Sequence, residues 1–279
     1  MDKIAAAAVL LLGLFCAGCQ SIDHPGDSWK LVWQQEFDVD GTVDPALWTF
    51  EKGFVRNKEE QYYTGRAENC RQEAGCLLIE GKIEKYPNPA YNPHSKAWDT
   101  SRKQAEFTSA ALCSRQAFRY GRFEMRAQLP TGKGTWPAFW LLGENHRDGS
   151  KVNWPDCGEV DIMENVGFDP DKIHSYVHYT GPQTQKHQSQ GKAVKGIPYN
   201  GFHTYTAEWD EEKIVFFFDG KPHFTFRIDD AGKGKNNPFR KPHFILVNLA
   251  LGGSWGGTID RTGFPKQYKI DYIRVWQKN

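Results

Sequence analysis

Apolar and polar positions alternate along most of this chain, in short runs rich in β-branched and aromatic residues and separated by Gly, Pro, Asn and Asp. Alternation of period two over about four to eight residues is the mark of a strand with one buried face. It is clearest in Phe118–Gln128, where Phe123, Met125 and Ala127 share one side. Further runs are Lys30–Gln34, Cys76–Glu80, Ile173–Tyr179, Phe202–Trp209, Ile214–Phe218, His223–Ile228, His243–Ala250 and Tyr268–Trp276. Asp219-Gly220 joins two of them as a tight hairpin signal. No stretch of about a dozen residues keeps an i, i+3, i+4, i+7 apolar stripe, so no long helix is expected. The pattern predicts an all-β fold of about ten or more strands, with two antiparallel sheets packed face to face and a concave cleft on one of them. The longest connections, Lys85–Arg102 and Gly181–Gly196, carry Pro, Asn, Lys and Gln and read as surface loops at the cleft rims. With no internal repeat or low-complexity tract, residues 29–279 form one domain.

The amino terminus departs from this pattern. Lys3 precedes an apolar run, Ile4–Phe15, which is shorter than the about 20 residues of a membrane span and fits the core of a signal peptide. The run ends in Cys16-Ala17-Gly18-Cys19. Ala and Gly before a Cys resemble a bacterial lipobox, although Cys16 stands where Leu is usual. Residues 1–18 are then a lipoprotein signal peptide, Cys19 the lipidated first residue, and residues 19–28 a short tether. The expected location is outside the cytoplasm, lipid-anchored to a bacterial membrane such as the outer membrane or cell surface. Ordinary secretory cleavage nearby is the alternative. Cys70, Cys76, Cys113 and Cys157 remain. An exported chain permits disulfides, and Cys70 and Cys76 bracket the turn-like Arg71–Gly75 as a candidate hairpin bridge. Their spacing lacks the paired CxxC units of a zinc site.

Charge adds an exclusion. Against 34 Asp and Glu stand 35 Lys and Arg, with no basic stripe of the kind nucleic-acid binders carry. Aromatic residues make up 14% of the chain, with 10 Trp, and Trp serves equally as core filling and as a stacking surface for sugars.

The sharpest feature is Trp154-Pro-Asp-Cys-Gly-Glu159-Val-Asp161-Ile-Met-Glu164-Asn165. A buried unpaired carboxylate is costly, so three acids within one apolar strand need a reason. On a regular strand Glu159 and Asp161 share a face while Glu164 points away. Cα atoms four positions apart lie about 13 Å apart, and side chains leaning inward leave about 5 Å between carboxyls. A gap of about 5–5.5 Å is what a retaining glycosidase needs between its nucleophile and its acid. Because Glu164 is five positions on, a β-bulge at Ile162–Met163 is required to bring it onto the face of Glu159. Crowded acids push their proton affinities apart, and Asp161 between the two Glu helps distribute the protons. The plainer alternative, a solvated strand face, fits poorly with the flanking Trp-Pro and Asn-Val-Gly.

These residues resemble glycoside hydrolase family 16, laminarinase-like branch, whose bulged signature is Glu-x-Asp-x-x-Glu. The resemblance extends through Trp33–Asp38, Tyr120–Glu124, Gly134–Gly143, Leu251–Gly257 and Ile270–Trp276, nearly the whole of residues 29–277. It implies a β-jelly-roll sandwich and endo-acting, retaining cleavage of β-glycans, with no redox cofactor and no catalytic metal; a structural calcium is not readable from sequence. By position Glu159 is the nucleophile, Asp161 its partner and Glu164 the acid/base. Trp136, Trp140 and Trp154 line the cleft and Trp255 its rim, with core packing the alternative for each. Trp136 and Trp140 share a strand face about 13 Å apart, enough to span more than one sugar. His178 and Asn248 are candidates for contacts to sugar hydroxyls. His174 shares a face with His178, but no third metal ligand is evident.

The segment His178–Gln190 is Gln-rich and lacks the Gly-rich form of many β-1,3-glucanases. Internal β-linkages of β-1,3-glucan are the favoured target, with endo-β-galactosidase-type cleavage of poly-N-acetyllactosamine on mucin O-glycans as the alternative. A non-catalytic glycan-binding lipoprotein and a cell-wall transglycosylase are the competing classes. The expected partners are the glycan and the membrane, for a monomeric protein.

Overall fold

The computed structural model describes residues 28–279; the expected signal peptide, Cys19 and nearly all of the tether lie outside the described residues. One sheet runs in spatial order β12 (His187–Lys195), β11 (Lys172–Thr180), β10 (Glu159–Glu164), β9 (Thr135–Gly143), β16 (His243–Leu251), β7 (Ala111–Phe118) and β2 (Trp48–Phe50). The other runs β15 (Lys221–Arg227), β14 (Lys213–Phe218), β13 (His203–Trp209), β8 (Gly121–Gln128), β17 (Lys266–Lys278), β5 (Cys76–Pro87), β6 (Gln104–Ser109) and β3 (Gln61–Tyr63). To it are added β1 (Trp29–Gln35) along β17 and β4 (Cys70–Glu73) along β5. The ladders are antiparallel except that β3 runs parallel to β6. Helix among the described residues amounts to one turn, α1 (Gly253–Gly256), and three 3₁₀ turns. These are the two packed sheets that the alternating pattern implies, arranged in the jelly-roll sandwich that the family resemblance implies.

Period two sorts the side chains between the layers. From the first sheet Phe139 and Leu141 (β9), Ile173 and Val177 (β11), and Ile245, Val247 and Leu249 (β16) enter the core. They meet Phe123 and Met125 (β8), Tyr205 and Trp209 (β13), and Ile273 and Val275 (β17) of the second sheet. The opposite face of the first sheet carries Trp136, Trp140, His174, His178 and Asn248. Strand β9 is nonetheless buried along its whole length, because the 51–63 segment and α1 cover that face in part. The Asp219-Gly220 hairpin forms as expected, both residues having positive φ (48° and 70°) between β14 and β15.

Four expectations need correction. Phe118–Gln128 is not one strand: Tyr120 takes φ 63° and turns the chain from β7 into β8. Gly181–Gly196 is largely strand, because His187–Lys195 pairs residue for residue with β11, where its polar side chains sit on an edge strand. Lys85–Arg102 begins as the end of β5, and its loop is tied across by Asn88, which donates to the carbonyls of Asp99 (2.7 Å) and Arg102 (2.8 Å). Cys70 and Cys76 do not bridge. Cys70 stands opposite Ile79 and Cys76 opposite Glu73, so the hairpin register sets them apart, and both are free thiols.

Candidate active site

Strand β10 carries the extra residue that the acid spacing requires. Asp161 pairs with Trp140 of β9 but Met163 with Phe139, and on the other side Asp161 pairs with Tyr176 but Glu164 with His174. The register therefore slips once, at Ile162–Met163. The physical consequence is visible in the core: Val160, Ile162 and Met163 are all buried between the sheets, at 0%, 1% and 0% exposure. Two consecutive apolar side chains point the same way, so Glu164 is returned to the face of Glu159 and Asp161.

Each acid is held differently. The Trp136 indole donates to Glu164 Oε1 at 2.8 Å. Asp161 is almost fully buried, and its Oδ2, which has no hydrogen-bond partner among the described residues, lies 3.2 Å from His178 Nε2 in a charge contact without hydrogen-bond geometry. Glu159 pairs in register with Leu142 and His178 and shares a hydrogen bond with Asp161. Ligand-type atoms of Glu159, Asp161 and His178 lie within 4.8 Å of one another. The fit is that of a proton-sharing cluster, with the imidazole as the polar partner of the buried acid.

All three carboxyls hold protons more tightly than usual. Burial, then the charge of Asp161, raises Glu159 to about 8, while His178 and Arg56 oppose the shift. Burial also raises Glu164, to about 7, against the Trp136 hydrogen bond that favours its charged form. Asp161 is raised well above its ordinary value by burial and by Glu164. Such a cluster titrates as a unit. At neutral pH the cluster therefore keeps bound protons, and Glu164, at about 7, releases its proton before Glu159, at about 8; for Glu159 to attack as a carboxylate, its proton must pass to a neighbour within the same titrating unit.

The aromatic residues converge around this strand, though not as open platforms. Trp136 and Trp140 share the cleft face, but are only 9% and 6% exposed. Trp255 meets Trp136 edge-on at 5.3 Å and His174 at 4.9 Å, and the Arg56 guanidinium lies over the Trp140 ring at 5.1 Å. The expectation of two stacked faces spanning successive sugars is corrected by these covers. Trp140 donates to Asn248 Oδ1 at 2.8 Å, and Asn248 donates to the Tyr63 hydroxyl at 3.1 Å. Asn248 is thus committed largely to holding the wall. Trp154 is 45% exposed and packs against His187 at 4.6 Å and His178 at 6.0 Å. His174 buries an unpartnered Nε2 and stands apart from His178 along β11.

Several residues at the site were not singled out in the sequence. Arg56 pairs with Glu51. Buried Glu59 accepts from Gln61 at 2.7 Å, and Gln61 in turn accepts from the Leu251 amide at 2.7 Å, pinning the 51–63 segment to β16. His187 stacks on His178 at 5.1 Å. The Arg56-Asn-Lys-Glu59-Glu-Gln61 run, charged yet leading into a strand, was the available signal for the first group.

A sandwich whose cleft strand is bulged to align two glutamates across an aspartate defines a class, the retaining glycosidases. The family model of Glycosyl hydrolases family 16 matches residues 81–274, and this chain belongs to that family. The β-glucanase of Rhodothermus marinus is 37% identical over 290 aligned positions, covering 99% of this chain and 95% of the relative. A solved structure of the endo-acting O-glycanases with which prominent members of the human gut microbiota initiate mucin breakdown superposes with a TM-score of 0.84 at 36% identity, covering 91% of this chain and 92% of its own. The laminarinase of Rhodothermus marinus superposes with a TM-score of 0.77 at 37% identity, covering 90% and 98%. The chain is an endo-acting β-glycosidase that works with retention of configuration.

Proposed function

We propose that Glu159 is the nucleophile, Glu164 the acid/base and Asp161 the partner that steadies Glu159, and that the substrate is a galactose-containing chain of the poly-N-acetyllactosamine type found on mucin O-glycans. Glu164 protonates the leaving oxygen while Glu159 attacks the anomeric carbon; Glu164 then activates the water that releases the glycosyl ester. Trp154 offers the exposed aromatic face, Trp136, Trp140 and Trp255 shape the walls with Asn248 bracing Trp140, and His178 supplies a polar contact. The observation that carries the substrate reading is the closer overlap with the O-glycanase structure, TM-score 0.84 against 0.77 for the laminarinase at nearly equal coverage and identity. It is joined by the placement of His178–Gln190, the Gln-rich segment without the Gly-rich form of many β-1,3-glucanases, which puts His178 beside Asp161 and runs through the β11–β12 hairpin. A second reading, β-1,3-glucan, is favoured by the near full-length likeness to the Rhodothermus marinus β-glucanase.

The deciding experiment incubates protein starting at residue 29 with poly-N-acetyllactosamine, mucin O-glycans, laminarin and lichenan and resolves the products by mass spectrometry. Oligosaccharides released from the first two, and none from laminarin, support the O-glycan reading; the reverse pattern selects β-1,3-glucan. Products longer than the starting oligosaccharide would instead mark transglycosylation. We also propose lipidation at Cys19, which intact-mass analysis of membrane-extracted protein tests through an added diacylglyceryl group.

A further inference from the structure

A chain of short contacts leads from the buried acid to solvent. Asp161 Oδ2 lies 3.2 Å from His178 Nε2, and His178 Nδ1 lies 2.9 Å from His187 Nε2. The two imidazoles are stacked, with planes 16° apart. Asp161 is 2% exposed, His178 is half-buried, and His187 opens to solvent on β12. Trp154 packs on His187 and holds it in place. In this arrangement each imidazole presents one nitrogen inward and one outward, and a proton entering one side of His178 can be matched by another leaving its far side.

We infer that His178 and His187 form a relay that takes the Asp161 proton out of the acid cluster while the glycosyl ester exists and returns it for ester hydrolysis. Before attack, Asp161 is protonated and steadies the Glu159 carboxylate, His178 carries its proton on Nδ1, and His187 is neutral with its Nε2 lone pair toward His178. Ester formation removes the charge of Glu159. The Asp161 carboxyl, no longer held toward Glu159, turns its proton onto Oδ2 and gives it to His178 Nε2 as His178 passes its Nδ1 proton to His187 Nε2. The result is Asp161 carboxylate, His178 protonated on Nε2 and His187 imidazolium, with no proton gained or lost overall. Reversal of both transfers restores a hydrogen-bond donor beside Glu159 as it leaves.

His187 is therefore a positioning residue, acting through His178. Charged or titratable groups facing the pair are Glu159 and Glu164 of β10, Asp156, whose carboxylate accepts from Thr180, and Arg56 on the far side of Glu159. Burial and the neighbouring His178 lower the His187 pKa below the ordinary imidazole value, which keeps it neutral and able to accept at pH 7. The relay rests on retaining hydrolysis at this site and is independent of which glycan is cut.

Two measurements test it. In the uncut protein, ¹⁵N-resolved NMR of the imidazoles should show a through-hydrogen-bond coupling from His178 Nδ1 to His187 Nε2 and linked titrations of the two rings; independent titrations overturn the relay without reference to any substrate. With whichever of laminarin or poly-N-acetyllactosamine is cleaved, His187→Gln should lower kcat about tenfold, with KM nearly unchanged, a loss below the roughly 10²–10⁴-fold of a group that exchanges protons with the substrate because His187 acts only through His178. The acid limb of its kcat profile should also cease to follow an imidazole ionisation. Equal losses in His187→Gln and His187→Phe with an unaltered profile would assign His187 a structural part only, and a change confined to KM would make it a sugar contact; either overturns the inference. If His187→Phe does not fold, the Gln variant and the NMR titration still decide.

Discussion

Replacing Glu164 by Gln should abolish hydrolysis and, above neutral pH, make the protein more stable. Burial lifts this carboxyl from its ordinary 4.5 to about 7, so the fold favours its protonated form. The stabilisation is complete below pH 4.5 and is lost as pH rises through about 7, because the unfolded chain releases the proton first. Gln never ionises, while its carbonyl oxygen still accepts from the Trp136 indole, which lies 2.8 Å from the oxygen it replaces. Moving a carboxyl from 4.5 to about 7 amounts to roughly 3 kcal/mol against the charged form. Glu159 and Asp161 absorb part of that by exchanging protons with Glu164, which leaves about 1–3 kcal/mol. For a domain of this size the variant should then melt about 3–10 °C above the wild type at pH 8, with no difference near pH 4. Scanning calorimetry at pH 4, 6 and 8 on both proteins gives the curve. A stability difference that does not grow with pH, or a variant less stable at pH 8, would refute the proton-sharing cluster.

Three further outcomes follow from the same geometry. Glu159→Gly should lose about 10³-fold or more in kcat, and azide should restore turnover with a glycosyl azide of inverted configuration, seen by NMR; a product of retained configuration would remove Glu159 from the nucleophile's role. Trp136→Phe deletes the indole donor that lowers the Glu164 pKa, so the basic limb of the pH–rate profile should move to higher pH, and a downward move contradicts the assignment. Deleting Ile162 removes the bulge and turns Glu164 toward the core, where an unpaired carboxylate costs several kcal/mol, whereas Ile162→Ala costs about 2–5 kcal/mol of stability but leaves a folded, active enzyme; circular dichroism with an activity assay separates the two.

The parts that were legible in the sequence are those carried by periodicity and by uncompensated charge. Alternation revealed both layers because each strand has one face in the core, and three acids in an apolar strand marked the site because apolar strands rarely tolerate them. The bulge was deducible from a count of residues. His187 was missed because edge strand β12 is polar on both faces and so carries no apolar period. Arg56 and Glu59 were missed because their role comes from a long-range approach to β9 and β16 that local pattern does not encode. Trp136 and Trp140 were placed correctly on the strand, but their covers come from α1 and the 51–63 segment. The Cys70–Cys76 reading failed because proximity in sequence says nothing of hairpin register.

The bulge on β10 has an evolutionary consequence. Ile162 and Met163 are both anchored between the sheets, so the strand cannot slide by one position without expelling a large apolar side chain. The spacing of the acids is thereby a property inherited from the interior and insulated from whatever happens at the margins. Connections such as 88–103 and the β11–β12 hairpin can lengthen, shorten or change composition while the reacting pair stays in tune. A lineage built on this scaffold is free to explore new glycans by redrawing its borders, since the chemistry at the centre does not have to be rediscovered each time.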